Sequence, residues 1–240
     1  MVHRAQLAQG DVWAAEGRLR ERVGGGAGAV RGARLMASGL PHPQWNNGDV
    51  HEADFDLEAV VAWYGERAVA WGLRIPVGLG PRPGRYLFTE RCMTLEPEQF
   101  VGAGRAELRR ATSADLGDVV LVDSTAFGYP GEASAGWLAP MVEAGTVWLA
   151  EVGGRTVGVA WSVVTDEWAG PAVGVFGVGV LPEYRRRGIG SALTNHLVAE
   201  GFAAGAKFAH LNPDTEEAGR LYERLGFVEA PGLDVFADCR

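Results

Sequence analysis

The chain has 240 residues, enough for one large domain or two modest ones, either of which can bury a core. Apolar residues make up 47% and charged residues 22%, which excludes disorder; the 35 Gly, close to double the usual share of roughly 7%, have no triplet period, which excludes collagen. A formal net charge of −8 argues against nucleic-acid binding, which needs a basic surface to displace counterions from phosphates.

Two cysteines, Cys92 and Cys239, give neither a disulfide framework nor a Cys-based zinc cluster, so the expected location is the reducing cytoplasm. Asp11, Glu16, Arg18 and Arg20 interrupt the first apolar stretch too early for a signal peptide. The uncharged run from Trp168 to Pro182 holds four Gly and two Pro and alternates Val with small residues, so it reads as sheet and no membrane association is expected. The His residues at 3, 42, 51, 196 and 210 have no ligand spacing, and no metal is expected.

In chain order, Arg4 to Arg22 has helical composition and ends at Gly24-Gly25-Gly26. The Gly24 to Gly28 run follows a helix, precedes a strand and has Arg at position 31, so it reads as a helix-terminating linker and not as a dinucleotide loop. A strand at Ala33 to Ala37, a turn-rich loop from Pro41 to Gly48 and a short strand at Asp49 to Ala53 come next. Leu57, Val60, Val61, Tyr64, Ala68 and Trp71 recur at helical steps, predicting a helix over Asp56 to Gly72. Strands at Leu73 to Leu79 and Arg91 to Leu95 close this segment, and Gly102-Ala103-Gly104 makes a flexible joint. Residues 1–105 carry 12 basic and 12 acidic residues, and residues 106–240 carry 10 and 18, so the whole excess of negative charge sits beyond the joint. The expected parts are therefore 1–104 and 105–240.

The second part begins with a strand at Glu107 to Ala111 and a helix capped by Ser113 that runs toward Phe127, with another helix over Ala133 to Glu143. Strands follow at Val147 to Val152, at Arg155 to Thr165 after a Gly153-Gly154 turn, and at Val173 to Val180. The rest is a helix over Ile189 to Phe202, a strand over Lys207 to Leu211, a helix over Asp214 to Leu225 with a capping box of Asp214 and Glu217, and a strand over Val228 to Phe236.

The most informative stretch runs from Val178 to Ser191. A hydrophobic strand ends at Pro182, Arg185, Arg186 and Arg187 form a basic turn, and Gly188 and Gly190 flank Ile189 at the start of a long helix. The first N–H groups of that helix lack intrahelical partners, its dipole favours negative charge and the three Arg add charge-assisted bonds. This is an anion cradle suited to a pyrophosphate. About thirty residues on comes Leu221-Tyr222-Glu223-Arg224-Leu225-Gly226-Phe227.

Together the two motifs resemble the GNAT superfamily of acetyl-CoA-dependent acyltransferases, whose Arg/Gln-x-x-Gly-x-Gly/Ala loop is matched by Arg185 to Gly190 and whose Leu-Tyr-x-x-Leu-Gly-Phe block is matched by Leu221 to Phe227. The resemblance covers residues 106–240 and implies an α+β, three-layer α/β/α fold with a mixed, mostly antiparallel central sheet, beside a smaller α/β N-terminal segment. It implies acetyl-CoA as cosubstrate, held by Arg185, Arg186, Arg187, Gly188, Ile189, Gly190 and Ser191. The backbones of Val178 and Val180 are implied to bond the pantetheine arm and polarise the acetyl carbonyl. Tyr222 is implied to be the acid that protonates the departing thiolate.

Two positions depart from the family pattern. Thr215 stands where the family often has Asn, with Asn212 either substituting for it or merely ending the strand, and the strand Ala172 to Val180 has no carboxylate to serve as base. Asp123, Asp166, Glu167 or a water chain remain candidates and none is chosen. The first part, with no cofactor loop of its own, looks like a degenerate GNAT half; it either lines the acceptor pocket with Trp45, Asn46 and Asn47 or covers a sheet edge. The resulting expectation is an N-acetyltransferase acting by direct attack of a primary amine, on a small molecule or peptide, with a homodimer allowed. The alternative is a non-catalytic acyl-CoA-binding or regulatory module.

Overall fold

A computed structural model of the chain describes residues 2–102 and 104–239; Ala103, the middle of the expected joint, lies outside the described residues. Helix α1 (Arg4–Leu19) opens on a capping box in which His3 Nδ1 accepts from the Ala5 N–H and the Gln6 side chain accepts from the His3 N–H. Strands β1 (Gly26–Val30), β2 (Ala33–Ala37) and β3 (Asn47–Val50) follow, then α2 (Leu57–Gly65), β4 (Gly72–Pro76) and β5 (Arg85–Leu95). The second part runs β6 (Glu107–Arg110), α3 (Leu116–Phe127), α4 (Gly131–Glu143), β7 (Val147–Val152), β8 (Arg155–Glu167) and β9 (Gly170–Val180). It ends with α5 (Ile189–Ala203), β10 (Phe208–Leu211), α6 (Glu216–Arg224) and β11 (Val228–Ala237).

Among the described residues these strands form one eleven-stranded sheet in the order β1-β2-β3-β4-β11-β5-β10-β9-β8-β7-β6, antiparallel except at β3–β4 and β9–β10. Helices cover both faces. A Cβ added at Gly158 would meet Ile189 and Leu193 of α5, whereas one at Gly179 would meet Ala126 and Phe127 of α3. Gly179 pairs with Val159, the residue after Gly158, so the alternation of a strand puts α5 and α3 on opposite faces. This is the three-layer α+β architecture with a mixed sheet. No helix among the described residues is long and apolar enough to cross a membrane.

The two expected parts are interleaved in the sheet. Strand β5, from the first part, lies between β10 and β11 of the second, pairing Met93 with Leu211 on one side and Thr94 with Val228 on the other. The main core accordingly runs without a break from Val12, Met36 and Trp45 through Met93 and Leu95 to Leu193, Leu197 and Phe227.

Several expectations are corrected at their edges, each for a visible reason. Gly26 to Val30 is a strand and not a linker, and its Gly28 serves packing: a Cβ there would fall 2.6 Å from the Trp63 indole nitrogen. Helix α2 stops at Gly65; Ala68 turns at φ 52° and brings Trp71 back to stack on Tyr64 at 4.7 Å, so the helical spacing of Trp71 reflects return packing. The α3 segment starts on a 3₁₀ turn capped by Thr112 and Asp115, not by Ser113. Thr215, not Asp214, caps α6, its hydroxyl accepting from the Ala218 N–H at 3.1 Å.

Removing residues 1–104 deletes β5 and leaves β10 and β11 with unpaired edges inside a core that has lost Met93 and Leu95. The fragment 105–240 is expected to show no cooperative melt by circular dichroism; a soluble fragment with a sharp transition would contradict this.

Candidate active site

The site begins where two strands part. Strands β9 and β10 pair only over Phe208–Ala172, Ala209–Val173 and His210–Gly174, and Pro213, without an N–H, prevents β10 from continuing the ladder. From Val175 to Val180 the β10-facing edge of β9 is therefore open. The Leu181 N–H donates to the Val157 carbonyl on the β8 side at 2.9 Å, so strand alternation turns the N–H groups of Val180 and Val178 toward the open edge. A bulge opposite Ala160 sharpens the departure, with Gly177 at φ 58°, a conformation that leaves its missing Cβ 2.6 Å from the Trp161 indole nitrogen.

The open edge faces the start of α5. Gly188 caps this helix at φ 78°, where a side chain would be strained, and the N–H groups of Ile189, Gly190 and Ser191 precede the first intrahelical bond, Ala192 N–H to Gly188 carbonyl. Val178, Val180, Arg185, Arg186, Gly188, Ile189, Gly190 and Ser191 all line one cleft of about 690 Å³. Arg186 sits at φ 64°, a left-handed conformation rare outside Gly, and pairs with exposed Glu217. Arg185 Nε donates to the Val180 carbonyl at 3.1 Å, tying the basic turn to the open strand. Arg187 turns away, its guanidinium 5.1 Å from the Tyr184 ring centre and donating to the Glu183 carbonyl, and it does not line the cleft.

Tyr222 projects from α6 into the same cleft and is buried; burial, aided by the negative charge of Asp214, holds its phenol well above the usual tyrosine range. It therefore keeps its proton at neutral pH and has it to donate. Asn212 also lines the cleft, but its amide nitrogen is bound to the Arg91 carbonyl of β5 at 2.8 Å, far along the chain from the basic turn. Thr215 is accounted for as the cap of α6.

The base candidates separate. Glu167 is ion-paired with Arg18 and Arg34, and it and Asp166 pair with Gly170 and Pro171 at the start of β9, the end opposite Val180. Asp123 lines the cleft and is buried, which raises its carboxyl against the opposing effect of Ser134. A carboxylate not anticipated from the sequence joins it: Glu90 of β5, raised by burial against the Arg74 guanidinium, with Asp49 adding to the rise. Its Oε2 is buried without a hydrogen-bond partner. Trp45 and Glu90 also line an adjoining chamber of about 480 Å³ together with Asn47 and Arg74, all from the first part. Asn46 is buried, its amide nitrogen donating to the carbonyls of Leu40, His42 and Ala70, and lines neither space. Among the described residues no group of three His, Cys, Asp or Glu is placed to hold a metal.

Residues 122–227, which contain the open strand, the basic turn and Tyr222, match the Acetyltransferase (GNAT) family. Over these residues the chain is similar to the GNAT family. It is 40% identical over 85 residues to a mycothiol acetyltransferase of Streptomyces griseus, covering 33% of this chain and 26% of that one. It is 29% identical over 200 residues to a mycothiol acetyltransferase of Pseudarthrobacter chlorophenolicus, covering 77% and 56%. The chain thus spans about half the length of these curated relatives, or less. Among solved structures, a GCN5-related N-acetyltransferase from Kribbella flavida matches 99% of this chain and 96% of its own with a TM-score of 0.71 at 16% identity. A GNAT-family structure from Novosphingobium aromaticivorans matches 93% and 95% with a TM-score of 0.60 at 18% identity. The fold likeness therefore extends over both parts of the chain.

The cleft is lined by charges of both signs: Arg185, Arg186 paired with Glu217, and Arg224, together with Glu90, Asp123 and Asp214. Because the Glu90 carboxyl is raised on folding, the folded chain holds a proton that the unfolded chain releases, so stability falls as pH rises above the ordinary carboxylate range. Glu90→Gln is expected to match the wild-type Tm below about pH 4, where both states are protonated, and to exceed it at pH 8. A thermal melt at both pH values checks this, and a lower Tm for the variant at pH 8 would contradict it.

Proposed function

We propose that the chain is an N-acetyltransferase that moves the acetyl group of acetyl-CoA to a primary amine by direct attack. The observation that carries this reading is the convergence, in one cleft, of the open β9 edge, the uncapped N–H groups of α5 and the Tyr222 phenol. The parts suit acetyl-CoA by their chemistry. Arg185, Arg186 and the first N–H groups of α5 would bind the pyrophosphate. The Val178 and Val180 N–H groups would bond the pantetheine amide and the thioester carbonyl, where donors held in advance stabilise developing negative charge without reorganising. Tyr222, kept protonated by burial, would supply a proton to the sulfur as it leaves. The names of the curated relatives support acetyl transfer and leave the acceptor of this chain open.

Thiol release from acetyl-CoA over a panel of primary amines, with a control lacking acceptor, tests the reading. Tyr222→Phe is expected to lower kcat about 100-fold or more, the usual share of a general acid, while the CoA Kd from calorimetry stays within about twofold. Binding of CoA with no amine-dependent thiol release by the wild type would instead favour a non-catalytic CoA-binding module. Absence of CoA binding would overturn both.

A further inference from the structure

Buried polar atoms without a protein partner are rare, because each costs the desolvation of a group that has lost its water. In this chain several gather along one wall of the cleft and its adjoining chamber: Gln9 Oε1, Asn47 Oδ1, Glu90 Oε2, Asn212 Oδ1 and the Trp13 indole N–H. The orientation of two of the amides is dictated by their other ends, since Asn212 Nδ2 donates to the Arg91 carbonyl and Asn47 Nδ2 to the Gln44 carbonyl, which leaves both oxygens without a protein partner. With the Ser134 hydroxyl, which also lacks a partner and can either donate or accept, four acceptors stand against one obligate donor, a surface for a ligand rich in hydrogen-bond donors. Beside it Trp45 stacks on Trp137 at 5.4 Å and meets Tyr129 edge-on at 5.3 Å, a wall suited to the face of an organic cation or a ring. Most of these residues belong to the first part of the chain, which supplies no cofactor loop.

We propose that this wall is the acceptor site for a primary ammonium bearing further O–H or N–H donors, and that Glu90, delivered by β5, takes the proton that frees its nitrogen to attack. The proposal rests on the acetyltransferase reading. Glu90 is favoured over Asp123 because its Oε2 has no partner and borders both the cleft and the chamber, whereas Asp123 has Ser134 beside it and borders the cleft alone. The charged groups around Glu90 are Arg74, itself held by Asp49 through bonds of 2.8 and 2.7 Å, and Asp214 across the cleft. The step balances. The ammonium gives one proton to Glu90, the nitrogen forms the C–N bond as the C–S bond breaks, and the sulfur takes the Tyr222 proton. The second nitrogen proton restores Tyr222, and the proton on Glu90 leaves to solvent, one per amide formed.

Glucosamine and spermidine serve as donor-rich probes of two chemistries and hexylamine as a donor-poor control, each assayed by thiol release. At least one donor-rich probe is expected to exceed hexylamine in kcat/KM by about tenfold or more, and Gln9→Met should raise KM for that probe about tenfold, several times more than it raises the hexylamine KM. Glu90→Gln should lower kcat about 100-fold with the CoA Kd unchanged, and Glu90→Asp should recover part of the loss. Hexylamine turned over as well as the other two, or a Glu90→Gln enzyme within threefold of wild-type kcat, overturns the proposal while leaving the acetyltransferase standing. Silence toward every amine with CoA bound overturns both.

Discussion

The structure turns on an interaction that is not made. After His210 and Gly174, β9 and β10 stop pairing, and the β9 edge from Val175 to Val180 is left inside the protein without a neighbouring strand. An open strand edge is ordinarily a liability, since its N–H and C=O groups must find partners. Here part of the demand is met locally, with Arg185 donating to the Val180 carbonyl, and the remainder is directed into a cleft whose other wall is the start of α5. The Gly177 bulge and Pro213 keep the strands apart, so the gap belongs to the covalent sequence and does not depend on a ligand to prise it open.

What closes the far side of that gap comes from the other part of the chain. Strand β5 inserts between β10 and β11, binds the amide of Asn212 and carries Glu90 into the cleft, so that the segment with the recognisable motifs does not contain its own complete sheet. Helix α1 and the Trp45 loop add Gln9, Trp13 and Trp45 to the same wall. The result is a division of labour across one cleft: the second part presents N–H groups and arginines for a polyanion, and the first presents acceptors and aromatic faces.

Much of this was legible in the sequence where local chemistry is decisive. The Gly153-Gly154 turn takes the left-handed conformations that a tight hairpin demands, the alternation of Val with small residues gives β9, and the Arg185 to Gly190 spacing places a basic turn at a helix start. What escaped was set by distant partners. Arg85 to Glu90 is largely exposed although it carries Tyr86, Leu87 and Phe88, and only the buried end of β5 is expected as a strand; nothing in Thr89-Glu90-Arg91 distinguishes Glu90 from an ordinary edge residue. Gly28 is in a strand because Trp63 needs the space, and Trp71 keeps helical spacing because it folds back on Tyr64. Arg187 shares the motif of Arg185 and Arg186 yet leaves the cleft, its guanidinium held by the Glu183 carbonyl and the Tyr184 ring.

Amide hydrogen exchange at single-residue resolution tests the open strand most directly. In the free protein the Val178 and Val180 N–H groups should exchange much faster than those of Gly179 and Leu181, which face β8, and acetyl-CoA should slow them selectively. Protection of Val178 and Val180 equal to that of Leu181 before ligand is added, or exchange unchanged by bound acetyl-CoA, would contradict the account.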